Sequence, residues 1–251
     1  MPNLLVLGSG TGIPNVKRGA PGYLLTAKGK NILLDSGPGT LQRLIRYGVT
    51  YQDIDYILYT HFHPDHTLDL AAILFAARNG INPRKKDLVV IGPRGFNGFY
   101  DRLLALYPTA INPQSYKFVV KEMEEGELDI GGLKIRTKPV AHAEGSVGFR
   151  IDISGGSSLA YSGDTDYCEN MVKLARRASL LILECSAPDE YKVAGHLTPS
   201  IAGKIASLAD PKKLLLSHLY PICDRYPILR QCRKHFKNKV MIAKDGMNIK
   251  F

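Results

Sequence analysis

The sequence lacks any stretch that could cross a membrane. Its longest uninterrupted apolar run, Leu70–Ala77, is far shorter than the roughly 20 residues that a transmembrane helix needs. The first residues contain neither the basic region nor the apolar core of a signal peptide. We therefore expect no membrane association and a cytoplasmic location.

Cysteine is scarce and never occurs with C-x-x-C spacing, so neither a disulfide nor a zinc knuckle is indicated. In a reducing compartment isolated cysteines are expected to be free thiols in or near the core. The four cysteines are Cys168, Cys185, Cys223 and Cys232.

Acidic residues are fewer than basic ones. The 33 Lys and Arg against 23 Asp and Glu give a net charge of +10 at pH 7 and a pI of about 9.4. This balance favours anionic partners, such as nucleic acid or phosphorylated small molecules. A generally basic, solvated surface is the alternative interpretation of the same composition.

Histidine is infrequent, yet three of the seven histidines lie in residues 60–66, Thr-His-Phe-His-Pro-Asp-His. The apolar run 54–59 before them is predicted to be a buried strand, and residues 68–77 after them a helix. The cluster should therefore occupy a tight loop at a strand end, where Pro64 stiffens the bend. A solvated loop with incidental histidines is a much weaker interpretation of this spacing.

The spacing within this loop suits metal ligands. In extended backbone alternate side chains point the same way, so His61 and His63 could reach one ion together. Beyond the proline, Asp65 and His66 would face a neighbouring position. Imidazole and carboxylate groups suit zinc, and the coordination shell would need further ligands from elsewhere in the chain.

Further candidate ligands follow other predicted strands, at or just beyond the strand end: His142, Asp164, Glu184 and His218. Side chains on loops at the edge of a rigid sheet are suited to form a metal site. No internal repeat or low-complexity tract interrupts the pattern. The predicted strands are 3–7, 23–26, 31–35, 54–59, 88–91, 116–120, 128–130, 133–140, 147–153, 158–161, 180–184, 214–217, 240–243 and 247–251, and the predicted helices are 40–47, 68–77, 95–107, 171–177, 198–209 and 227–236.

Three features have more than one interpretation. Residues 8–14 are rich in glycine, but no Lys-Ser/Thr pair follows, so a close backbone approach to a neighbouring site is favoured over a phosphate loop. Asp35 either fixes its own loop or supports the histidine loop from behind. The final helix carries basic residues that either touch a polyanion or form a solvated face, which is the more frequent case: Arg230, Arg233, Lys234 and Lys237.

Together these motifs resemble the metallo-β-lactamase superfamily and, within it, the ribonuclease Z-like branch. The resemblance rests on the H-x-H-x-D-H loop, His142, Ser-Gly-Asp-Thr at 162–165 and Ser-His at 217–218, whose order and spacing match over nearly the whole chain. It implies an α/β fold, a four-layer αββα sandwich of mixed sheets flanked by helices, filling residues 1–251 as a single domain. Further similar segments are residues 7–14, 33–40 and 196–198.

The resemblance also implies a pair of zinc ions, with Mn²⁺ or Fe as alternatives. Carried over by position, one ion would be held by His61, His63 and His142, the other by Asp65, His66 and His218, and both by Asp164. Two such ions lower the pKa of a bridging water and supply a hydroxide nucleophile.

Three residues are the candidates for catalysis. Asp65 could also act as a base toward the water, His196 could donate a proton to the leaving oxygen, and Glu184 could orient His196. For His196 the alternative is an ordinary loop histidine, and for Glu184 a surface acid at a strand end.

The expected activity is that of a phosphodiesterase acting on RNA or on a small phosphodiester. A sulfate ester or lactone hydrolase on the same site is the alternative, and a non-catalytic metal- or nucleic-acid-binding module is less favoured. Only residues 143–163 separate His142 from Asp164, too few for the long tRNA-gripping insertion of many ribonuclease Z proteins. Relatives of this fold are often dimers, so a homodimer is an open expectation.

Overall fold

Two mixed, seven-stranded β-sheets lie face to face in the computed structural model, which describes residues 1–78 and 81–251. In sheet 1 the strand order is β14-β1-β2-β3-β4-β5-β6, and β3 to β6 run parallel to one another. Its strands are β1 (Asn3–Gly8), β2 (Gly22–Ala27), β3 (Lys30–Ser36), β4 (Tyr56–Leu58), β5 (Leu88–Gly92), β6 (Phe118–Glu122) and β14 (Asn248–Lys250).

Sheet 2 combines an antiparallel half with a parallel half. The order is β13-β12-β11-β10-β9-β8-β7; β7 to β10 pair antiparallel and β10 to β13 pair parallel. The strands β8, β10, β11 and β12 therefore all end at the same edge. The strands are β7 (Gly126–Asp129), β8 (Leu133–Pro139), β9 (Val147–Ile153), β10 (Ser157–Tyr161), β11 (Leu180–Glu184), β12 (Lys213–Ser217) and β13 (Lys239–Ile242).

Helices cover the outer faces of both sheets. One apolar cluster lies between the sheets, a second lies between sheet 2 and its helices, and a third between sheet 1 and its helices. The result is the expected four-layer αββα sandwich. The helices are α1 (Thr40–Arg46), α2 (Pro64–Thr67), α3 (Asp69–Arg78), α4 (Phe96–Leu106), α5 (Glu169–Ala175), α6 (Pro199–Ala209) and α7 (Ile228–Arg233).

Alternating side chains explain how each strand contributes to two clusters. In β1, Leu4 and Val6 belong to the cluster between the sheets, whereas Leu5 and Leu7 belong to the cluster under the helices. Successive side chains of a strand point to opposite faces, so a strand covered on both faces is apolar throughout. This is why the central strands could be predicted from short apolar runs.

The predicted elements differ from the structure mainly at their ends. The strands predicted at 116–120 and 128–130 lie at Phe118–Glu122 and Gly126–Asp129. Both lie at sheet edges and include exposed charged residues, which a search for apolar runs leaves out. The histidine loop is also shorter than predicted, because Pro64 begins a one-turn helix at a position where its missing N–H is harmless.

Two predictions from composition have structural counterparts. All four cysteines are free; Cys185, Cys223 and Cys232 are buried, and Cys168 is partly buried. Within the described residues, no helix is both long enough and apolar enough to cross a membrane.

Candidate metal centre

Three histidines predicted from the sequence meet above the edge where the two sheets face each other. His61 and His63 belong to the loop after β4, and His142 to the loop after β8. The distance from His61 Nε2 to His63 Nδ1 is 3.0 Å, and from His63 Nδ1 to His142 Nε2 it is 3.2 Å. The structure therefore brings the first predicted ligand group together.

The second predicted group lies beside the first. His66 Nε2 is 3.4 Å from His218 Nε2. Asp65 Oδ2 is 3.5 Å from His218 Nε2 and 3.9 Å from His66 Nε2. Asp65 and His66 lie in α2, the one-turn helix that Pro64 begins, whereas His218 follows β12 in the other sheet.

Asp164 lies between the two groups and is almost fully buried. Its Oδ1 is 3.3 Å from His66 Nε2 and 3.2 Å from His218 Nε2. Its Oδ2 is 3.8 Å from His61 Nε2 and 3.7 Å from His142 Nε2. One carboxylate thus presents one oxygen to each group.

The arrangement fits divalent cations. Ligand atoms about 2.0–2.1 Å from a tetrahedral zinc ion would lie about 3.3 Å apart, close to the nitrogen–nitrogen distances in both groups. Asp164 Oδ1 is buried and, among the described residues, accepts no hydrogen bond. A buried carboxylate oxygen without a donor is costly, and a cation at this position would satisfy it.

Hydrogen bonds fix the orientation of four of these imidazoles. In each, Nδ1 donates outward, which directs Nε2 at the cluster, as metal ligation requires. The acceptors are Thr60 Oγ1 for His61 (3.0 Å), Asp35 Oδ2 for His66 (2.8 Å), Gly195 O for His142 (2.8 Å) and Ser186 Oγ for His218 (3.0 Å).

The protonation of the cluster follows from burial and from its carboxylates. Burial, with the neighbouring charge of His66, lowers the pKa of His61 well below its ordinary value. Burial opposes the charge on His66, but Asp164 and Asp35 outweigh it and raise the pKa of His66. Burial would raise the pKa of Asp164, but His218 and His66 hold it well below its usual range. The centre therefore contains an ionised carboxylate that attracts positive charge.

Asp35 supports the centre from behind, so both interpretations of this residue hold. Its Oδ2 accepts hydrogen bonds from His66 Nδ1, from Tyr161 (2.6 Å) and from the Thr60 hydroxyl (2.9 Å), and its Oδ1 accepts from the Thr60 amide. It is fully buried. Asp35 thus fixes the loop between β4 and the histidines while orienting His66.

The backbone of the centre departs from ordinary conformations. Asp35 and His218 have φ values of 52° and 55°, in the left-handed region that side chains other than glycine rarely adopt. Gly163 has a φ of +56°, and a Cβ there would lie 2.5 Å from Thr60 Cβ. A glycine at this position therefore lets the Asp164 loop approach the histidine loop.

His196 and Glu184 lie together beside the centre. His196 Nδ1 donates to Glu184 Oε1 at 2.9 Å, and the same Nδ1 lies 4.0 Å from Asp164 Oδ2. Glu184 is 2% exposed, so it is not a surface acid. Burial opposes the charge on His196, but the Glu184 carboxylate outweighs it and raises the pKa of His196.

Ser186 is a contributor that the sequence did not reveal. Its hydroxyl donates to Glu184 Oε2 at 2.6 Å, and its oxygen lies 3.0 Å from His218 Nδ1 and 3.1 Å from His196 Nδ1. It therefore connects the Glu184–His196 pair to the His218 imidazole. A lone serine two residues after a strand end has no distinctive spacing, so only its contacts identify it.

The fold and the centre agree with comparisons to known proteins. The family model described as a beta-lactamase superfamily domain matches residues 30–219. The chain belongs to the metallo-β-lactamase superfamily and resembles ribonuclease Z within it. Family and side-chain cluster together support a metal-dependent hydrolase that binds a divalent cation.

Similar proteins include one relative found by sequence and two solved structures. The ribonuclease Z of Sulfolobus acidocaldarius is 29% identical, covering 94% of this chain and 94% of that protein. The metallo-beta-lactamase fold protein YhfI of Bacillus subtilis is 25% identical with a TM-score of 0.85, covering 99% and 98% of the two chains. The short form of human tRNase Z is 26% identical with a TM-score of 0.81 and the same coverage.

Proposed function

We propose that the protein is a dinuclear-zinc phosphodiesterase, similar to ribonuclease Z, that acts on RNA or on a small phosphodiester. The observation that carries the proposal is the carboxylate of Asp164, whose oxygens face two separate groups of ligands. Similarity to ribonuclease Z along nearly the whole chain supports the choice of phosphodiester. Because loops of both sheets supply the ligands, we treat residues 1–251 as one catalytic domain.

The proposed ligands fall into two groups joined by Asp164. Nitrogen ligands with a few carboxylates favour zinc, although Mn²⁺ and Fe accept the same donors. Divalent ions held there supply Lewis-acid activation of water and of the scissile phosphate. One ion would be held by His61, His63 and His142, and the other by Asp65, His66 and His218.

Side chains around the centre would move the protons. Glu184 holds the Nδ1 proton of His196, which leaves Nε2 as the nitrogen that can exchange a proton with the leaving oxygen. Asp65 is about one-fifth exposed, so its carboxylate can serve both as a ligand and as a base toward the attacking water. Glu184 acts through His196 and is a positioning residue.

The substrate is not held by an arm of the usual ribonuclease Z kind. Residues 143–163, all of them described, contain only the β9–β10 hairpin, which pairs within sheet 2. The proposal therefore covers RNA that is bound by another surface as well as small diesters. Its test has to compare both.

The proposal is tested by the Asp164→Ala variant. Purified wild-type protein should contain close to two equivalents of zinc or a similar divalent ion by elemental analysis. The variant should retain at most one, and its kcat/KM on bis-p-nitrophenyl phosphate should fall about 100-fold or more, since each metal contributes several kcal/mol. Asp101→Ala, which removes an exposed carboxylate on α4, is the matched control and should resemble wild type. An Asp164→Ala protein with full metal content and full activity would defeat the assignment.

A substrate panel separates the proposed activity from its alternative. Bis-p-nitrophenyl phosphate and a 3′-extended precursor tRNA should be cleaved, whereas p-nitrophenyl sulfate and a lactone should not. If the sulfate ester or the lactone is turned over faster than the phosphodiesters, the phosphodiesterase proposal fails and the protein is a hydrolase of that other ester.

A further inference from the structure

Helix α7 and its flanking turns present a concentrated group of exposed cations, which we call the α7 basic face. None of these side chains forms an ion pair with a carboxylate anywhere in residues 1–78 and 81–251. Lys237 instead donates to the backbone carbonyl of Arg233. The members of the α7 basic face are Arg225, Arg230, Arg233, Lys234, Lys237 and Lys239.

Another basic surface of the protein is neutralised, in contrast to the α7 basic face. On the outer side of sheet 2, Lys134 and Arg136 pair with Glu127, and Arg150 pairs with Asp152. A cluster of like charges destabilises the folded state by mutual repulsion. Asp189 lies near Lys234, but within the described residues no ion pair neutralises the α7 basic face, and this excess of positive charge indicates an anionic partner.

The α7 basic face is connected to a segment that leads into the metal centre. The Nε2 of Gln231 in α7 donates to Glu190 at 2.9 Å. Glu190 belongs to the turn Asp189–Tyr191, which leads to His196 five residues after Tyr191. The helix is therefore attached to the segment that carries the proposed proton donor.

Two tyrosines, Tyr191 at the end of this turn and Tyr226 two residues before α7, contact each other. The Tyr226 hydroxyl donates to the Tyr191 hydroxyl at 2.8 Å, and the rings meet edge to face with centroids 5.4 Å apart. Tyr191 is 48% exposed. Exposed rings beside a row of cations are the combination that binds single-stranded nucleic acid, in which the bases stack and the phosphates lie along the positive charge.

We propose that the α7 basic face and the Tyr191–Tyr226 pair bind a single-stranded segment of RNA that continues into the metal centre. This inference rests on the proposed phosphodiesterase function and specifies a polynucleotide rather than a small diester as the substrate. Phosphates would contact the cations, while a base would stack on Tyr191.

The test removes charge from α7 and, as a control, from the far edge of the molecule. Helix α7 packs on β13, an edge strand of sheet 2, and the next strand in sequence, β14, is an edge strand of sheet 1. Strand β6 is the opposite edge strand of sheet 1. The α7 variant is R230Q/R233Q/K234Q. The control variant is R102Q/K117Q/K121Q, whose cations are exposed on α4 and at β6 and also form no ion pair in the described part of the chain. Metal content and melting temperature should match wild type in both.

Binding is measured by fluorescence anisotropy of a labelled 20-nucleotide oligouridylate, with metal-loaded protein on ice and with the RNA shown intact by gel. Between 50 and 200 mM KCl, the α7 variant should bind roughly tenfold more weakly or worse. Its slope of log K against log[salt] should decrease in magnitude by about 2, since each lost phosphate contact on a single strand accounts for about 0.7. The control variant should keep the wild-type affinity and slope.

Three results would overturn the proposal. One is unchanged affinity and slope in the α7 variant. Another is an equal loss in the control variant, which would reduce the effect to net charge. The third is an α7 variant that still binds RNA but no longer binds phosphatidylserine vesicles, which would make the α7 basic face a membrane contact. If wild-type protein fails to hydrolyse bis-p-nitrophenyl phosphate while the α7 variant alone loses RNA, the RNA surface stands and the phosphodiesterase proposal fails.

Discussion

At the scale of the residue, Ser186 shows how much of the centre depends on one hydroxyl group. It has a single proton, which it donates to Glu184, so its oxygen is left to accept the proton of His218 Nδ1. That hydrogen bond determines which nitrogen of His218 faces Asp164. The serine thereby keeps the imidazole in the tautomer that a metal ion needs.

We expect Ser186→Ala to weaken metal binding by about 10–100-fold, because partners of this kind contribute that much to the affinity of a site. The loss should be confined to one of two equivalents in a titration against a chromophoric chelator. Ser158→Ala is the matched control, since Ser158 is also a buried serine but contacts Arg150 and Ser179 in sheet 2. If Ser186→Ala binds each of the two ions with the wild-type affinity, Ser186 does not have this role.

The residues of the centre could be predicted from the sequence only where the residue type itself is informative. Histidines and acids at strand ends are uncommon enough that His61, Asp164 and His218 could be singled out. Serine occurs in every kind of turn, so Ser186 could not. Asp35 lay in between: its place at a strand end was visible, but its contact with His66 depends on how two loops meet in space.

At the scale of the element, the approach of two loops depends on glycine. The loop after β4 belongs to sheet 1 and the loop after β10 to sheet 2, and they touch where Gly163 meets Thr60. The Val147 amide also donates to the Thr60 carbonyl at 2.9 Å, between the same two sheets. The position of Asp164 relative to the histidines therefore depends on the close approach of Gly163 to the Thr60 side chain.

We expect Gly163→Ala to lower the free energy of unfolding by more than the roughly 1 kcal/mol that a left-handed alanine alone costs. The added methyl group would also displace Thr60 and the histidine loop, so one equivalent of metal should be lost. Gly29→Ala isolates the backbone contribution, because Gly29 has a φ of +70° and no atom near its Cβ position. Thermal unfolding of both variants measures the difference; equal destabilisation would mean that the loops tolerate the methyl group.

The interior strand β11 was predicted more closely than the edge strands β6 and β7. Strand β11 has five buried residues and matches its predicted bounds. The edge strands β6 and β7 carry exposed charged residues, so hydrophobic patterning placed the first residue of each two positions away from where the strand begins. An edge strand is defined by its hydrogen bonds to a neighbour, and a single sequence contains little information about that pairing.

At the scale of the whole molecule, the metal centre connects the two sheets. Its proposed ligands follow β4 in sheet 1 and β8, β10 and β12 in sheet 2. Without cations, buried imidazoles and carboxylates have to balance one another's charge. Bound metal should therefore stabilise the entire sandwich.

Removal of both ions with a chelator should lower the melting temperature by roughly 15–30 °C, and added Zn²⁺ should restore it. Ions present at about 1,000 times their Kd contribute about 4 kcal/mol each, and in a chain of this size 1 kcal/mol corresponds to about 2–4 °C. Differential scanning fluorimetry checks the shift, with Asp164→Ala as the control that should respond less. Identical melting curves with and without chelator would mean that the cluster holds no cation in solution.

The pairing of β1 with β14 has a consequence for synthesis on the ribosome. Asn3 lies opposite Lys250, so β1 has an open edge for as long as residues 248–250 remain in the exit tunnel. The imidazoles of 61, 63 and 66 likewise emerge well before His218 can join them. A nascent chain therefore passes through a period in which the edge of β1 is unpaired and these three imidazoles lack the partners that complete the site.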